Sequence, residues 1–195
     1  RLYSVGTIRG NVRLAWKIGD RALAHYRICS EVVSSLGSAL SALPEEIPDR
    51  VARQEGQIKE ADLEIRRLRQ RLHALIAHSL ATDSERVRGQ RIITAEFDDE
   101  PRDFLRGVTE ELVARTGTAC CLVNRAGDQL QWSVGIAPGS ALSFDDLRAE
   151  LLTLIEGKGG GKPPIWQGVG TRVDRVQALL ARFRRLGESA VAAKE

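Results

Sequence analysis

The sequence predicts an α/β (α+β) protein. We expect an N-terminal β-hairpin, a long antiparallel helical or coiled-coil arm, and then a mixed-sheet α/β domain with a glycine-rich loop. Three observations support this: apolar residues alternate near the start, a seven-residue apolar repeat follows, and strand-like and helix-like segments interchange after residue 90. No apolar run approaches the roughly 18 residues of a membrane helix, so we expect no membrane partner.

The first predicted element, residues 1–19, is the hairpin. Val12, Leu14 and Trp16 alternate with other residues beyond the turn triplet Arg9-Gly10-Asn11. A two-stranded hairpin is marginal in water, so we expect this one to complete a larger sheet. Because the sequence contains no Met, even at position 1, we interpret the chain as a fragment or the C-terminal part of a longer protein, so that any catalytic apparatus could lie upstream of Arg1.

The arm, residues 20–82, comprises two predicted helices. We expect Asp20 to be the N-cap of the first, and Pro48 suits the first turn of the second. The second helix carries a heptad repeat that predicts a coiled-coil seam. The turn at residues 42–48 favours pairing with the preceding helix, while pairing with a second chain, and hence a homodimer, stays open. The heptad positions are Val51, Ile58, Ile65 and Leu72, and Gln54, Ala61, Leu68 and Leu75.

The α/β domain is predicted over residues 90–187, followed by a frayed tail at 188–195. Strands are expected at 92–97, 118–124 and 130–136, and helices at 101–115, 144–155 and 173–186. Three cysteines without CxxC spacing argue against a disulfide framework and favour a reducing, cytoplasmic location. Adjacent Cys120 and Cys121 would face opposite sides of a strand and serve packing.

The glycine-rich segment, residues 157–170, carries the clearest functional signal. Six glycines in fourteen residues indicate close approach of the backbone to a ligand, and Lys158 and Lys162 add positive charge. Phosphate or a nucleic-acid backbone is the expected ligand, whereas a flexible surface loop is the alternative. The segment lacks the Walker A and GxGxxG spacings, which disfavours ATP and dinucleotides. The candidate nucleic-acid-binding residues are Lys158, Gly159, Gly160, Gly161, Lys162, Gln167, Gly168 and Gly170.

Two stretches resemble one group of families. Gly159-Gly160-Gly161-Lys162 and Gln167-Gly168-Val169-Gly170 resemble the signature of the DHH-associated domain, found in alanyl-tRNA synthetases, alanyl-tRNA editing proteins and DHH phosphoesterases. The stretch Ile8-Arg9-Gly10-Asn11-Val12-Arg13, with Gly19-Asp20-Arg21-Ala22-Leu23, looks like the closing hairpin and exit helix of the editing domain. Phosphoesterases lack that hairpin and usually carry His in place of Lys162, so the resemblance favours the tRNA families.

The resemblance implies a tRNA-binding and dimerisation module of a protein that hydrolyses mischarged alanine-specific tRNA. The zinc ion of such proteins is held by HxxxH and CxxxH motifs, and this sequence contains neither. We therefore expect no cofactor, metal site or catalysis in this fragment, with zinc in the upstream editing domain. The alternatives are the C-terminal region of a synthetase, a substrate-binding domain of a DHH-type phosphoesterase or nuclease, and a purely structural oligomerisation arm.

Three smaller signals have alternative interpretations. His25 and Cys29 share a helical face and suit zinc, but two ligands do not make a site, and packing is the simpler interpretation. The arginines of residues 66–71 could follow a phosphate backbone or form a solvated helix face. Trp166 could stack on a base, and we favour a hydrophobic anchor that fixes the glycine-rich segment to the sheet.

Overall fold

A computed structural model describes residues 2–84, 86–87, 89–140 and 142–192. The chain divides into two compact units at Glu64 and Ile65, inside a long helix. Within the described residues, no helix is both long and apolar enough to span a membrane.

The first unit begins with the expected hairpin. Strand β1 (Leu2–Ile8) pairs antiparallel with β2 (Asn11–Trp16), and Ile8 lies opposite Asn11. The intervening residues Arg9 and Gly10 have φ of 50° and 82°, the left-handed pair that a tight hairpin turn requires. Apolar side chains on both faces of this ribbon are exposed, so the ribbon has no core of its own.

Two helices follow, α1 (Asp20–Leu40) and α2 (Ile47–Asp83), with a 3-10 turn at Pro44–Glu46 between them. The predicted N-cap was wrong by one residue, because Gly19 occupies the cap and Asp20 is already helical. In the turn, the Leu43 N–H donates to the Glu46 carboxylate at 3.0 Å.

The predicted antiparallel pairing of α1 with α2 is not what the first unit shows. Leu23 on α1 and the heptad residue Ile58 on α2 are 52% and 61% exposed, whereas a helical hairpin would bury both kinds of residue. The remaining apolar heptad residues are also exposed: Val51, Ile65, Leu68, Leu72 and Leu75. The seam is therefore uncovered in the described chain.

The second unit contains the predicted mixed sheet, which has six strands among the described residues. Its order is β3-β4-β5-β6-β8-β7, with β4 and β5 parallel and all other neighbours antiparallel. The strands are β3 (Arg86–Val87), β4 (Gln90–Asp98), β5 (Thr118–Ala126), β6 (Gln129–Ile136), β7 (Lys158–Lys162) and β8 (Ile165–Gly170).

Helices cover both faces of this sheet. On one face, α3 (Phe104–Val113) and the end of α2 bury a cluster that includes Leu112, Cys120 and Leu122. On the other face, α4 (Phe144–Leu154) and α5 (Val176–Ala192) pack on Cys121, Val123 and Trp132. The predicted tail is partly wrong: α5 continues to Ala192 because Val191 is buried. Residues 193–195 lie outside the described residues.

Candidate nucleic-acid interface

The glycine-rich segment forms strands rather than the predicted loop. Residues Lys158–Lys162 are β7 and Ile165–Gly170 are β8, joined through Pro163 and Pro164 at the edge of the sheet. Gly159 lies opposite Gly168, and Gly160 lies opposite Gln167. The structure thus brings all eight predicted residues into one hairpin, whose strands are held by a regular ladder.

Close packing explains the glycines of this hairpin. A Cβ on Gly159 would lie 2.5 Å from the ring of Trp132, and one on Gly168 would lie 2.7 Å from it. A Cβ on Gly161 would lie 2.4 Å from the Ile165 carbonyl oxygen, whereas Gly160 has open space. None of these four glycines has a positive φ, so none is required by a left-handed backbone.

Beside this hairpin, a cleft of about 580 Å³ lies on the side of the sheet covered by α3. Because side chains alternate along strands, Gln131 and Ser133 of β6 share a face with Gln167 and Val169, their partners on β8. The residues before and in the first turn of α3 form the opposite wall. The lining comprises Arg102, Asp103, Leu105, Arg106, Gln129, Gln131, Trp132, Ser133, Lys158, Gly159, Gln167, Gly168 and Val169.

The cleft is positively charged, with three cations against one carboxylate in its lining. Arg106 Nε donates to Glu110 Oε1 at 2.9 Å, and this hydrogen bond and the charge of Glu110 raise the pKa of Arg106. Lys158 and Arg102 have no ion pair with any described residue. The cleft therefore presents two cations that are available to an anionic ligand.

Buried hydrogen bonds hold the polar floor of the cleft in place. Ser133 shares a 2.8 Å hydrogen bond with Thr109 of α3, and Thr109 also donates to the Leu105 carbonyl at 2.7 Å. Asn124, which is fully buried, donates to Gln131 Oε1 at 3.3 Å. These contacts fix Gln131 and Ser133 before any ligand arrives.

The cleft divides the predicted site residues into two groups. Lys158, Gly159, Gln167 and Gly168 line it, while Gly160, Gly161, Lys162 and Gly170 do not. Lys162 lies at the far end of β7, opposite Ile165, and Gly170 packs on Ile155. The sequence does not predict that Arg102, Arg106 and Gln131 line this cleft, because they come from the turn before α3, from α3 and from β6, without a recognisable local motif.

Trp166 is the hydrophobic anchor that the sequence suggested. Its ring stacks on Phe144 of α4 with centroids 4.8 Å apart, and Phe144 in turn stacks on Trp132 at 6.0 Å. The buried Trp132 Nε1–H has no hydrogen-bond acceptor among the described residues. The stack joins β8 and β6 to the start of α4.

The cysteines behave as their positions predicted. Cys120 and Cys121 belong to the buried clusters on opposite faces of the sheet. Burial raises the pKa of Cys120 to about 12 and also raises the pKa of Cys121. In the first unit, exposed Cys29 lies 3.7 Å from His25 Nδ1, and no group of three metal-ligating side chains exists among the described residues.

Comparison with known proteins identifies one group of relatives. No family model matches the chain. An alanine–tRNA ligase of Frankia casuarinae is 32% identical over 160 residues, which is 80% of this chain and 18% of that protein. The enzyme of Frankia alni is 31% identical over 182 residues, covering 91% of this chain and 21% of that protein. The chain thus spans about a fifth of the length of these relatives.

A solved structure, the C-Ala domain of Aquifex aeolicus alanyl-tRNA synthetase, has a TM-score of 0.49 and 19% identity; the match covers 54% of this chain and 98% of that domain. The sequence relationship is the stronger result, because it extends through both units. Over most of its length, the chain is homologous to alanyl-tRNA synthetases, the alanine–tRNA ligases.

Proposed function

We propose that this chain is the tRNA-binding and dimerisation module of an alanyl-tRNA editing protein. The observation that carries the proposal is the cationic cleft beside the glycine hairpin, in a chain homologous to enzymes that act on tRNA. Lys158 and Arg102 are placed to contact phosphates, which supply most of the affinity in nucleic-acid binding. Nucleic acid therefore matches the chemistry of the cleft.

The amides of the cleft floor add hydrogen-bonding capacity to this charge. Gln131 and Gln167 each carry a carbonyl acceptor and an NH₂ donor, which suit base edges and ribose hydroxyls. Gln131 is held by Asn124 and is therefore oriented in advance. We propose that Lys158 and Arg102 bind phosphates and so position the tRNA, and that Gln131 and Gln167 contact bases or sugars.

In this proposal the ester to the wrong amino acid is hydrolysed elsewhere in the parent protein, by a zinc-dependent editing domain. The residues of this chain bind and orient the tRNA. A second candidate is the corresponding region of an alanyl-tRNA synthetase itself, which the ligase identity of the relatives favours. Assays of the parent protein distinguish the two candidates. An editing protein removes serine from mischarged alanine tRNA without charging that tRNA with alanine, whereas a synthetase also catalyses charging.

The binding proposal is tested with alanine tRNA and the whole chain, by fluorescence anisotropy from about 50 to 200 mM salt. Lys158→Gln and Arg102→Gln should each weaken binding and reduce the salt slope by about 0.9, the value of one lost phosphate contact. Lys162→Gln is the matched control, because it removes the same charge from the same strand outside the cleft. Equal affinities and slopes in all four proteins would exclude the cleft as the tRNA site.

A further inference from the structure

A second cationic cavity lies at the opposite end of the sheet from the tRNA cleft. Its walls are the amino-terminal ends of β4 and β5, where Arg91 pairs with Thr118, whereas α3 begins beyond the carboxyl end of β4. The cavity has a volume of about 640 Å³. It is lined by Arg86, Gly89, Gln90, Arg91, Arg115, Thr116, Gly117 and Gly139.

Among the described residues, the lining contains three guanidinium groups and no carboxylate. Arg86, Arg91 and Arg115 form no ion pair with any residue that the structure describes. Like charges around one cavity repel, and a bound anion removes that repulsion. The charge of the cavity thus favours an anionic ligand.

Arg91 supplies the second observation. Its Nε is buried and has no hydrogen-bond partner among the described residues. Buried donors are almost always paired in native proteins, so Arg91 would gain a hydrogen bond if its side chain turned this Nε towards a bound oxyanion. A guanidinium presents donors in a planar fork that matches the oxygens of a phosphate group.

Backbone contacts hold the wall around Arg91 rigid. The Arg91 N–H donates to the Gly117 carbonyl at 2.9 Å, and Gln90 Nε2 donates to the Gly139 carbonyl at 3.2 Å. Gly117 has φ of 72°, and a Cβ there would lie 3.4 Å from the Gly89 carbonyl, so two loops approach closely at this point. The start of β4, which carries Arg91, is therefore held in place.

We propose that this cavity is a phosphate-binding site in which Arg86, Arg91 and Arg115 hold the phosphate oxygens. The proposal does not rest on the function of the tRNA cleft. The phosphate can belong to a free anion such as pyrophosphate or to an RNA backbone, and the chemistry of recognition is the same for both.

Isothermal titration of the whole chain with pyrophosphate tests the site. We expect Arg91→Gln and Arg115→Gln each to weaken binding at least tenfold. Arg91→Lys keeps the charge but removes the Nε donor, and we expect it to weaken binding as well. Arg53→Gln, on the exposed surface of α2, removes the same charge outside the cavity and should leave pyrophosphate affinity unchanged.

Absence of pyrophosphate binding, or equal affinities in the Arg91→Gln, Arg115→Gln and Arg53→Gln proteins, would overturn the proposal. Thermal melting of each variant without ligand shows whether it is folded. If the Arg91→Gln protein does not fold, the Arg115→Gln protein provides the test, because it leaves Arg91 intact. Competition then identifies the source of the phosphate. Displacement of pyrophosphate by tRNA indicates an RNA backbone, and simultaneous binding of both indicates a free anion.

Discussion

Gly159 lies opposite Gly168 in the ladder between β7 and β8, and both rest on the ring of Trp132. The two missing side chains let the edge hairpin approach the indole more closely than any other pair of residues would allow. This contact also fixes the positions of Lys158 and Gln167 at the rim of the cleft, because these residues are the chain neighbours of the two glycines.

Gly168→Ala should therefore lower the free energy of unfolding by about 1–3 kcal/mol, the usual cost of overpacking. The new methyl group would lie 2.0 Å from the Lys158 carbonyl oxygen. This oxygen belongs to the backbone of β7, which cannot shift without disturbing the strand pairing. Urea denaturation measures the change. Gly160→Ala is the control, because that position is open and the substitution should be neutral or slightly stabilising. Equal stabilities of the two variants would contradict the packing argument.

Asn124→Ala should destabilise the second unit by about 1–3 kcal/mol, because buried polar groups would lose their partners. The Asn124 amide donates to the Glu100 carbonyl at 2.9 Å, and its oxygen accepts from the Glu100 N–H at 3.0 Å. Thermal denaturation provides the measurement. Gln131→Ala removes only the third contact of Asn124 and should cost less stability. A larger loss in Gln131→Ala than in Asn124→Ala would refute this account.

Thiol titration of the folded protein with a disulfide reagent at pH 8 should detect one fast-reacting cysteine. Cys29 is exposed, while Cys120 and Cys121 are buried with raised pKa values, so little thiolate forms at either. In denaturant all three should react. Cys29→Ser should abolish the fast phase, and its survival in that variant would show that a buried thiol is accessible.

Alkaline pH should destabilise the fold through the same buried thiols. The pKa of Cys120 is about 12 in the folded protein and 9.0 for an ordinary cysteine, so above pH 9 the unfolded chain ionises while the folded protein does not. The free energy of unfolding is therefore unaffected by these thiols below pH 9. It falls as the pH rises towards 12, by up to about 1.4 kcal/mol per pH unit for each thiol. Urea denaturation between pH 8 and 11 measures it. Cys120→Ala/Cys121→Ala should show a shallower decline, and an unchanged decline would assign the effect to other groups.

The exposed heptad stripe on α2 should make the protein a dimer. Ile65 and Leu68 are 47% and 52% exposed, and a second copy would bury them. Sedimentation equilibrium should show that Ile65→Asp/Leu68→Asp weakens association at least tenfold, because the two charges would be desolvated in the seam. Gln70→Asp, on the outer side of the heptad, should leave association intact. If the wild-type protein is monomeric at high concentration, the dimerisation part of the proposed function is wrong.

The local sequence pattern was sufficient to predict those helices and strands whose buried residues recur at regular spacing. Strands β4, β5 and β6 and helix α3 were predicted to within a few residues, because their apolar side chains recur at the spacing of the element. The turn at Arg9 and Gly10 was equally local. Such signals lie within ten residues of one another, which is the range that a sequence pattern can report.

The glycine hairpin and the cleft depended on contacts that no local pattern contains. A Cβ on Gly159 would meet the Gln167 carbonyl oxygen of its own hairpin and also the ring of Trp132, which lies on a different hairpin of the chain. Arg102 joins Lys158 in one cleft only because α3 crosses the sheet beside β8. Likewise, the heptads predicted a seam but not its partner, since an apolar stripe of this kind suits α1 and a second copy equally well.

The stack of Trp132, Phe144 and Trp166 gives the second unit an internal optical reporter. The two indoles are the tryptophans of the sheet, one beneath the glycine pair and the other on β8, while Trp16 lies exposed on the N-terminal hairpin. With Trp16 replaced by Phe, the remaining emission comes only from rings in contact with the cleft hairpin. An occupant that moves β7 and β8 relative to this stack is then expected to change the fluorescence of an unlabelled protein.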